Sequence, residues 1–278
     1  MPTVAIIGAG ALGGALAHTL AGRGRVGEVR LIDPEGRIAE GKALDILQSS
    51  PVEQFTTRVT ASTSYAAAAG ARAIVIADLL SGGEISGEAG LTLLRQIARI
   101  DTTAPILFAG ALQRELMGRA ITEILIAPRR LLGSAPLALE SAVRAVTAAL
   151  IDVSPADLSI GVAGVPPRDA VIGWDAATAF HRPLADVLAP HHMSAVSSRL
   201  PALWPPSPYT LASAATRIAE ALANGSRRRY TCFAAIATGA GRDLIAAVPV
   251  EIVEGGVGKV LEPALSRHER TVFENGLR

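Results

Sequence analysis

Apolar residues come in short, β-rich runs through the first half of the chain: "TVAIIG", "EVRLID", "ARAIVIA" and "APILFAG". Between them the apolar spacing lengthens to a helical period, as in "RIAEGKALDIL" and "EAGLTLLRQIARI". Short buried strands alternating with amphipathic helices predict a parallel, doubly wound α/β sheet. Such a sheet binds ligands beyond the carboxyl ends of its strands. After "RLLGSAPLALESAVRAVTAAL" the pattern changes. "DLSIGVAGVPPRDAVIGW" reads as two strands around a proline turn. "PHHMSAVSSRLPALWPPSPYTLASAATRIAEALANG" reads as a broken helix, a proline-rich bend and a firm helix. "YTCFAAIATG" and "LIAAVPVEIVEGGVGKVLE" are strand-like, and "SRHERTVFENGL" is a closing helix with Ser266 as its cap and Glu269 three residues on. We therefore expect a parallel α/β domain over 1–132 and a mixed α/β domain over 133–278.

Composition narrows the choices. The formal net charge is +1 with no long basic block, which argues against nucleic acid or an anionic membrane as partner. The most apolar stretch, "YAAAAGARAIVIADLL", is broken by Gly70, Arg72 and Asp78, so no membrane span is expected. The N-terminus lacks a basic leader, and a cytoplasmic protein is expected. Cys232 is the only cysteine, which leaves no internal disulfide and no thiol-based metal cage. Among the histidines, His191 and His192 are adjacent and no pair has the spacing of a helical chelate, so no metal site is expected. Ser81 and Ser207 have no nearby histidine and aspartate to make a nucleophile.

The candidate chemistry begins at "VAIIGAGALGG". Gly8, Gly10 and Gly13, with Ala9, Ala11 and Leu12 between them, form a GxGxxG turn between a strand and a helix. Gly8 allows the tight turn, Gly10 lets backbone approach a pyrophosphate, and Gly13 lets helix and strand pack closely. The helix start offers free N–H groups to phosphate. Asp33 ends the next strand, where a carboxylate can take both ribose hydroxyls and repel a 2′-phosphate. The expected ligand is NAD(H) rather than NADP(H).

With this cradle, "GKALDILQSSPVEQF" and the stretch from "YTLASAATRIAEALANG" to "TVFENG" resemble the malate dehydrogenase branch of the lactate/malate dehydrogenase family. The resemblance implies an NAD-binding Rossmann domain, a mixed α/β substrate domain, and a homodimer or tetramer. It also implies a hydride transfer on a 2-hydroxy acid, for which the family uses a histidine held by an aspartate, a carboxylate-gripping arginine, a second arginine on a mobile loop, and an asparagine after the fifth strand.

At each of those positions this chain departs. Pro166 in "VAGVPPRDAV" stands about where the histidine falls. In "LESAVR", Glu140 replaces the aspartate and Val143 the arginine, while Arg144 comes one residue late, about 100° round the helix. Gly110 in "LFAGALQ" replaces the asparagine. The mobile loop is shortened to "LLSGGEISGEAGL" and has no arginine, and Asp78, Leu79 and Leu80 stand where the family has small residues near the cofactor. A positioned acid or base is worth about 10²–10⁴ in rate, and each lost electrostatic donor costs about 10²–10³.

The nearest replacements are His181 with Arg168 and Asp169 of the "PPRD" turn; Asp78 is well placed at a strand end, with a capping or surface role expected. Three functions stay open. One is an oxidoreductase of altered substrate, acting on a small alcohol or carbonyl, or of very weak activity. Another is a non-catalytic NAD(H) sensor or assembly partner of a true dehydrogenase. The last is a scaffold whose cradle is narrowed by Leu79 and Leu80.

Overall fold

The computed structural model describes residues 1–237 and 243–277. The parallel half contains β1 (Thr3–Ile7), α1 (Ala11–Gly22), β2 (Glu28–Ile32), α2 (Gly36–Glu53), β3 (Arg58–Ser62) and β4 (Ala73–Ile76). A small hairpin follows, β5 (Asp78–Leu79) and β6 (Gly83–Glu84), then α3 (Gly87–Ile100), β7 (Ile106–Phe108), α4 (Arg114–Glu123) and β8 (Leu131–Gly133). The order β8-β7-β4-β1-β2-β3 is parallel throughout, so the carboxyl ends of β1, β4 and β7 open on one edge.

The second half contains α5 (Ala135–Ile151), β9 (Leu158–Val165), β10 (Asp169–Ala179), β11 (Arg182–Pro183), α6 (Pro190–Arg199), α7 (Pro208–Asn224), β12 (Arg229–Ala237), β13 (Asp243–Val253), β14 (Gly256–Val260) and α8 (Arg267–Gly276). These strands are antiparallel, and β12 joins β8 through Phe233 and Gly133, so one sheet runs through both halves. The strand read at "YTCFAAIATG" is β12; its last two residues lie outside the described ones.

Burial explains the elements. β1 and β4 carry Val4, Ala5, Ile6, Ile7 and Ala73–Ile76 fully buried between helices, as expected of parallel strands covered on both faces. The helix α7 packs against α1 and α5, and Arg23 at the end of α1 holds Glu220 of α7 at 2.5 Å, tying the two halves together. Ser266 caps α8 by accepting from Glu269 N–H, while the Glu269 carboxylate accepts from Ser266 N–H. Among the described residues no helix is long and apolar enough to cross a membrane.

Two readings change. The stretch expected to form a mobile loop is instead an ordered hairpin, in which Asp78 pairs with Glu84 and Leu79 with Gly83. The Gly82-Gly83 pair makes this turn possible, with Gly83 at φ +69°. And α2 runs to Glu53, through Pro51, well beyond the segment its apolar period marks.

Candidate cofactor cleft

The glycine turn closes β1 onto α1 as its spacing implies. Gly8 sits at φ +100°, and a Cβ there would overlap the backbone of Asp78. A Cβ on Gly13 would overlap the Gly8 carbonyl. Lys42 of α2 reaches over the turn and donates from Nζ to the carbonyls of Ala9 and Gly10, the latter at 2.9 Å. This pins the backbone and leaves the amide side of the turn facing the cleft.

That amide side is already taken. The N-cap of α1 is Gly10, which has no side chain to accept from the first turn. The missing acceptor comes from β5. Asp78 Oδ2 accepts from Leu12 N–H at 3.0 Å and Oδ1 from Gly13 N–H at 2.7 Å. Those are the two amides that an N-cap carboxylate normally satisfies. The Asp78 carbonyl accepts from Gly10 N–H at 2.9 Å. Its carboxylate lies where a Cβ on Gly10 would stand. Asp78 is thus a buried cap for α1, not a surface residue.

Asp33 is 1% exposed. Its Oδ2 accepts from Ala9 N–H at 2.8 Å and Leu80 N–H at 3.3 Å, and its Oδ1 from Glu35 N–H at 3.0 Å. The carboxylate expected to meet a ribose is turned onto backbone amides, one of them from the hairpin. Leu79 and Leu80, half-buried, pack against the main core.

The far end of the hairpin is fixed in the same way. Glu84 accepts from Ala111 N–H at 2.9 Å and Leu112 N–H at 2.7 Å, in the turn leading to α4. A Cβ on Gly110 would overlap the Glu84 carboxylate. Gln113, fully buried, accepts from Gly110 N–H at 2.9 Å and donates to the carbonyls of Ala77 and Ile85. Lys42, Glu84 and Gln113 are therefore site residues that motif reading does not reveal. A signal existed for Glu84: a Gly-Gly pair between short apolar segments is a hairpin cue.

The remaining candidates do not converge. Val143 is fully buried in the apolar cluster of the second half. Arg144 donates to the Pro155 carbonyl at 2.8 Å, at the opposite end of α5 from its start after β8. Glu140 accepts from the Thr231 hydroxyl at 2.6 Å, and burial pushes its carboxyl above the ordinary range, against the pull of Thr231 and Arg144. It faces a separate cavity of about 520 Å³ shared with Arg144, Arg217 and Arg229, away from the glycine turn. Pro166 and Arg168 lie at one end of the β9–β10 hairpin, where Val165 pairs with Asp169, and His181 follows the other end, where Leu158 pairs with Ala179. The replacement pair is not brought together. His191 and His192 lie on α6 with ring centroids 4.1 Å apart, and among the described residues no three metal-ligating side chains cluster.

Residues 3–97 match the family model described as the NAD-binding domain of lactate/malate dehydrogenase. Over 99% of its length the chain is 29% identical to 93% of a malate dehydrogenase of Roseobacter denitrificans. Its fold matches a malate dehydrogenase from Salinibacter ruber at TM-score 0.87 and 24% identity, covering 99% of this chain and 93% of that one. It also matches a Cryptosporidium parvum lactate dehydrogenase, complexed with lactic acid and nicotinamide adenine dinucleotide, at TM-score 0.86 and 20% identity, covering 99% and 94%.

NAD is the cofactor of this domain type, yet the cleft does not fit its pyrophosphate with Asp78 in place, because a dinucleotide draws on the same first-turn amides. Residues 3–97 thus match the NAD-binding domain of lactate/malate dehydrogenases, and the whole chain shares the fold of those enzymes.

Proposed function

We propose that this chain is a non-catalytic member of its dehydrogenase family, an NAD(H)-responsive binding protein built on the Rossmann domain 1–132 and the mixed domain 133–278. The carrying observation is Glu84: a carboxylate, anchored to the Ala111 and Leu112 amides, stands beside Gly110 at the family's asparagine position. A 2-oxo acid brings its own carboxylate. A fixed anion at the asparagine position repels it, and Val143 stands where the family offers an arginine to grip it. Pro166 has no proton to give, and Val143 no charge.

The cradle residues in this reading are Gly8, Ala9, Gly10, Ala11, Leu12 and Gly13, with Asp33 behind them. A homodimer fits the same reading, because α2 presents Ile38, Leu44 and Val52 to solvent at 49%, 55% and 83% exposure. The test is oxaloacetate and pyruvate reduction followed at the nicotinamide absorbance with purified protein. No turnover above a buffer control is expected. Turnover of either acid at an ordinary dehydrogenase rate sinks the reading, and turnover of an uncharged carbonyl alone replaces it with an oxidoreductase of altered substrate.

A further inference from the structure

We propose that the β5–β6 hairpin is an internal occupant of the cofactor cleft: the Asp78 carboxylate sits in the pyrophosphate seat, so that NAD(H) and the closed hairpin exclude one another. The proposal rests on the assignment of the cradle to NAD(H) and is independent of whether the protein turns anything over.

The amides come first. A helix N-terminus holds an anion because its first N–H groups lack partners inside the helix. In α1 the Leu12 and Gly13 amides bond to Asp78, whose main chain lies 66 and 65 residues away in sequence. The space is also taken. The second glycine of the turn, Gly10, is bare so that something can approach its backbone, and what approaches is the Asp78 carboxylate. The Lys42 ammonium on this turn is spent on the Ala9 and Gly10 carbonyls, so it does not neutralise a second anion beside the first.

The hairpin is held at three further points. Leu80 N–H donates to Asp33 at 3.3 Å, which engages the carboxylate placed to meet the adenosine ribose. Glu84 occupies the Ala111–Leu112 turn at the nicotinamide end. Gln113 ties Ala77 and Ile85, the two residues flanking the hairpin, to one another. Thus one short segment touches the positions of ribose, pyrophosphate and reacting ring, and it does so with carboxylates at two of them. Gly82, Gly83 and Gly87 supply backbone freedom for it to leave; a Cβ on Gly83 or Gly87 would meet nothing, but both have positive φ. When the hairpin leaves, α1 loses its cap and regains an anion seat. Binding is therefore an exchange of an internal anion for an external one, and the affinity measured is reduced by the work of displacement.

The experiment titrates the full-length wild type, Asp78→Ala and Asp78→Ser with NADH, by nicotinamide fluorescence and by melting temperature, with inorganic pyrophosphate as a competing probe. Without ligand, both variants should melt below the wild type, since two first-turn amides lose their acceptor. NADH should bind either variant at least tenfold more tightly than the wild type, about the effect of one charge-assisted contact removed from the competitor. Pyrophosphate should compete in the variants and raise their melting temperature. Serine keeps a weaker cap, so it supplies a folded protein if alanine does not. Equal NADH affinity in wild type and variants overturns the proposal, as does failure of both folded variants to bind. The oxaloacetate assay bears only on the absence of turnover, so the two ideas fail separately.

Discussion

Glu84 and Gly110 fit one another: the Glu84 carboxylate lies in the space a side chain at 110 would need, and its hydrogen bonds to the Ala111 and Leu112 amides hold it there. A bare glycine at 110 and a carboxylate at 84 are thus complementary parts of one packing arrangement. A side chain at 110 requires Glu84 to leave, and Gln113, whose Cδ is the next obstacle at 2.9 Å, to shift.

Gly110→Asn alone should therefore destabilise the fold by about 1–3 kcal/mol, the usual cost of overpacking a filled site. Added to Glu84→Ala it should cost clearly less than it does alone. Urea unfolding of both single variants and the double variant measures the coupling. Additive losses would show that the two residues do not share this space.

Asp33 is the next test, because its role in the closed cleft is structural. Its carboxylate serves the amides of Ala9, Glu35 and Leu80 while 1% exposed. Asp33→Ala leaves buried donors unpaired, and each such group costs about 1–3 kcal/mol. The melting temperature should fall strongly in Asp33→Ala and less in Asp33→Asn, which keeps one acceptor oxygen. Equal melting of all three would mean that the amides find other partners.

How much of this is legible in the sequence depends on range. β1 and β4 announce themselves because both faces are buried, so "VAIIG" and "AIVI" are continuous apolar runs. β3 does not: "RVTAS" mixes an exposed arginine with partly buried polar residues at the sheet edge, leaving neither a run nor a clean alternation. The Ser266–Glu269 capping box is readable because its partners are three residues apart. The Asp78 cap on α1 is not, since strand order, not sequence spacing, brings β4 and its successor beside the glycine turn. The same holds for Glu84 on Leu112, 28 residues on. The glycine turn is visible in the sequence; that a carboxylate from β5 fills it follows only from the fold.

The homodimer reading also has a direct test. On α2, Ala43 and Ile46 face the core while Leu44 and Val52 face solvent. Beside them a hollow of about 550 Å³ is lined by Ala11, Ala15, Ile46 and Tyr209, the last 79% exposed. Leu44→Glu with Val52→Glu places two charges on that surface without touching the core. Light scattering should give a dimer mass for the wild type and a monomer mass for the double variant, with melting lowered through lost association. A monomeric wild type at high protein concentration would overturn the dimer.

Glu140 gives a prediction in pH. Its carboxyl is buried against Thr231 on β12 and its proton is held more tightly in the folded chain than in water, burial being the largest cause. A carboxyl whose folded value is raised contributes stability that is complete below its unfolded value of 4.5 and is lost as pH rises through the folded value. Glu140→Gln keeps the carbonyl oxygen that accepts from the Thr231 hydroxyl but never ionises. The variant should match the wild type in melting temperature at pH 4.5 and below, then become progressively more stable than it toward neutral pH. Taking the difference between the two proteins at each pH cancels the other carboxylates. A difference that stays flat would mean that the folded chain holds the Glu140 anion as well as water does, and one that favours the wild type as pH rises would mean that it holds it better, with the Arg144 and Arg229 guanidinium groups lining the same cavity as its counter-charges.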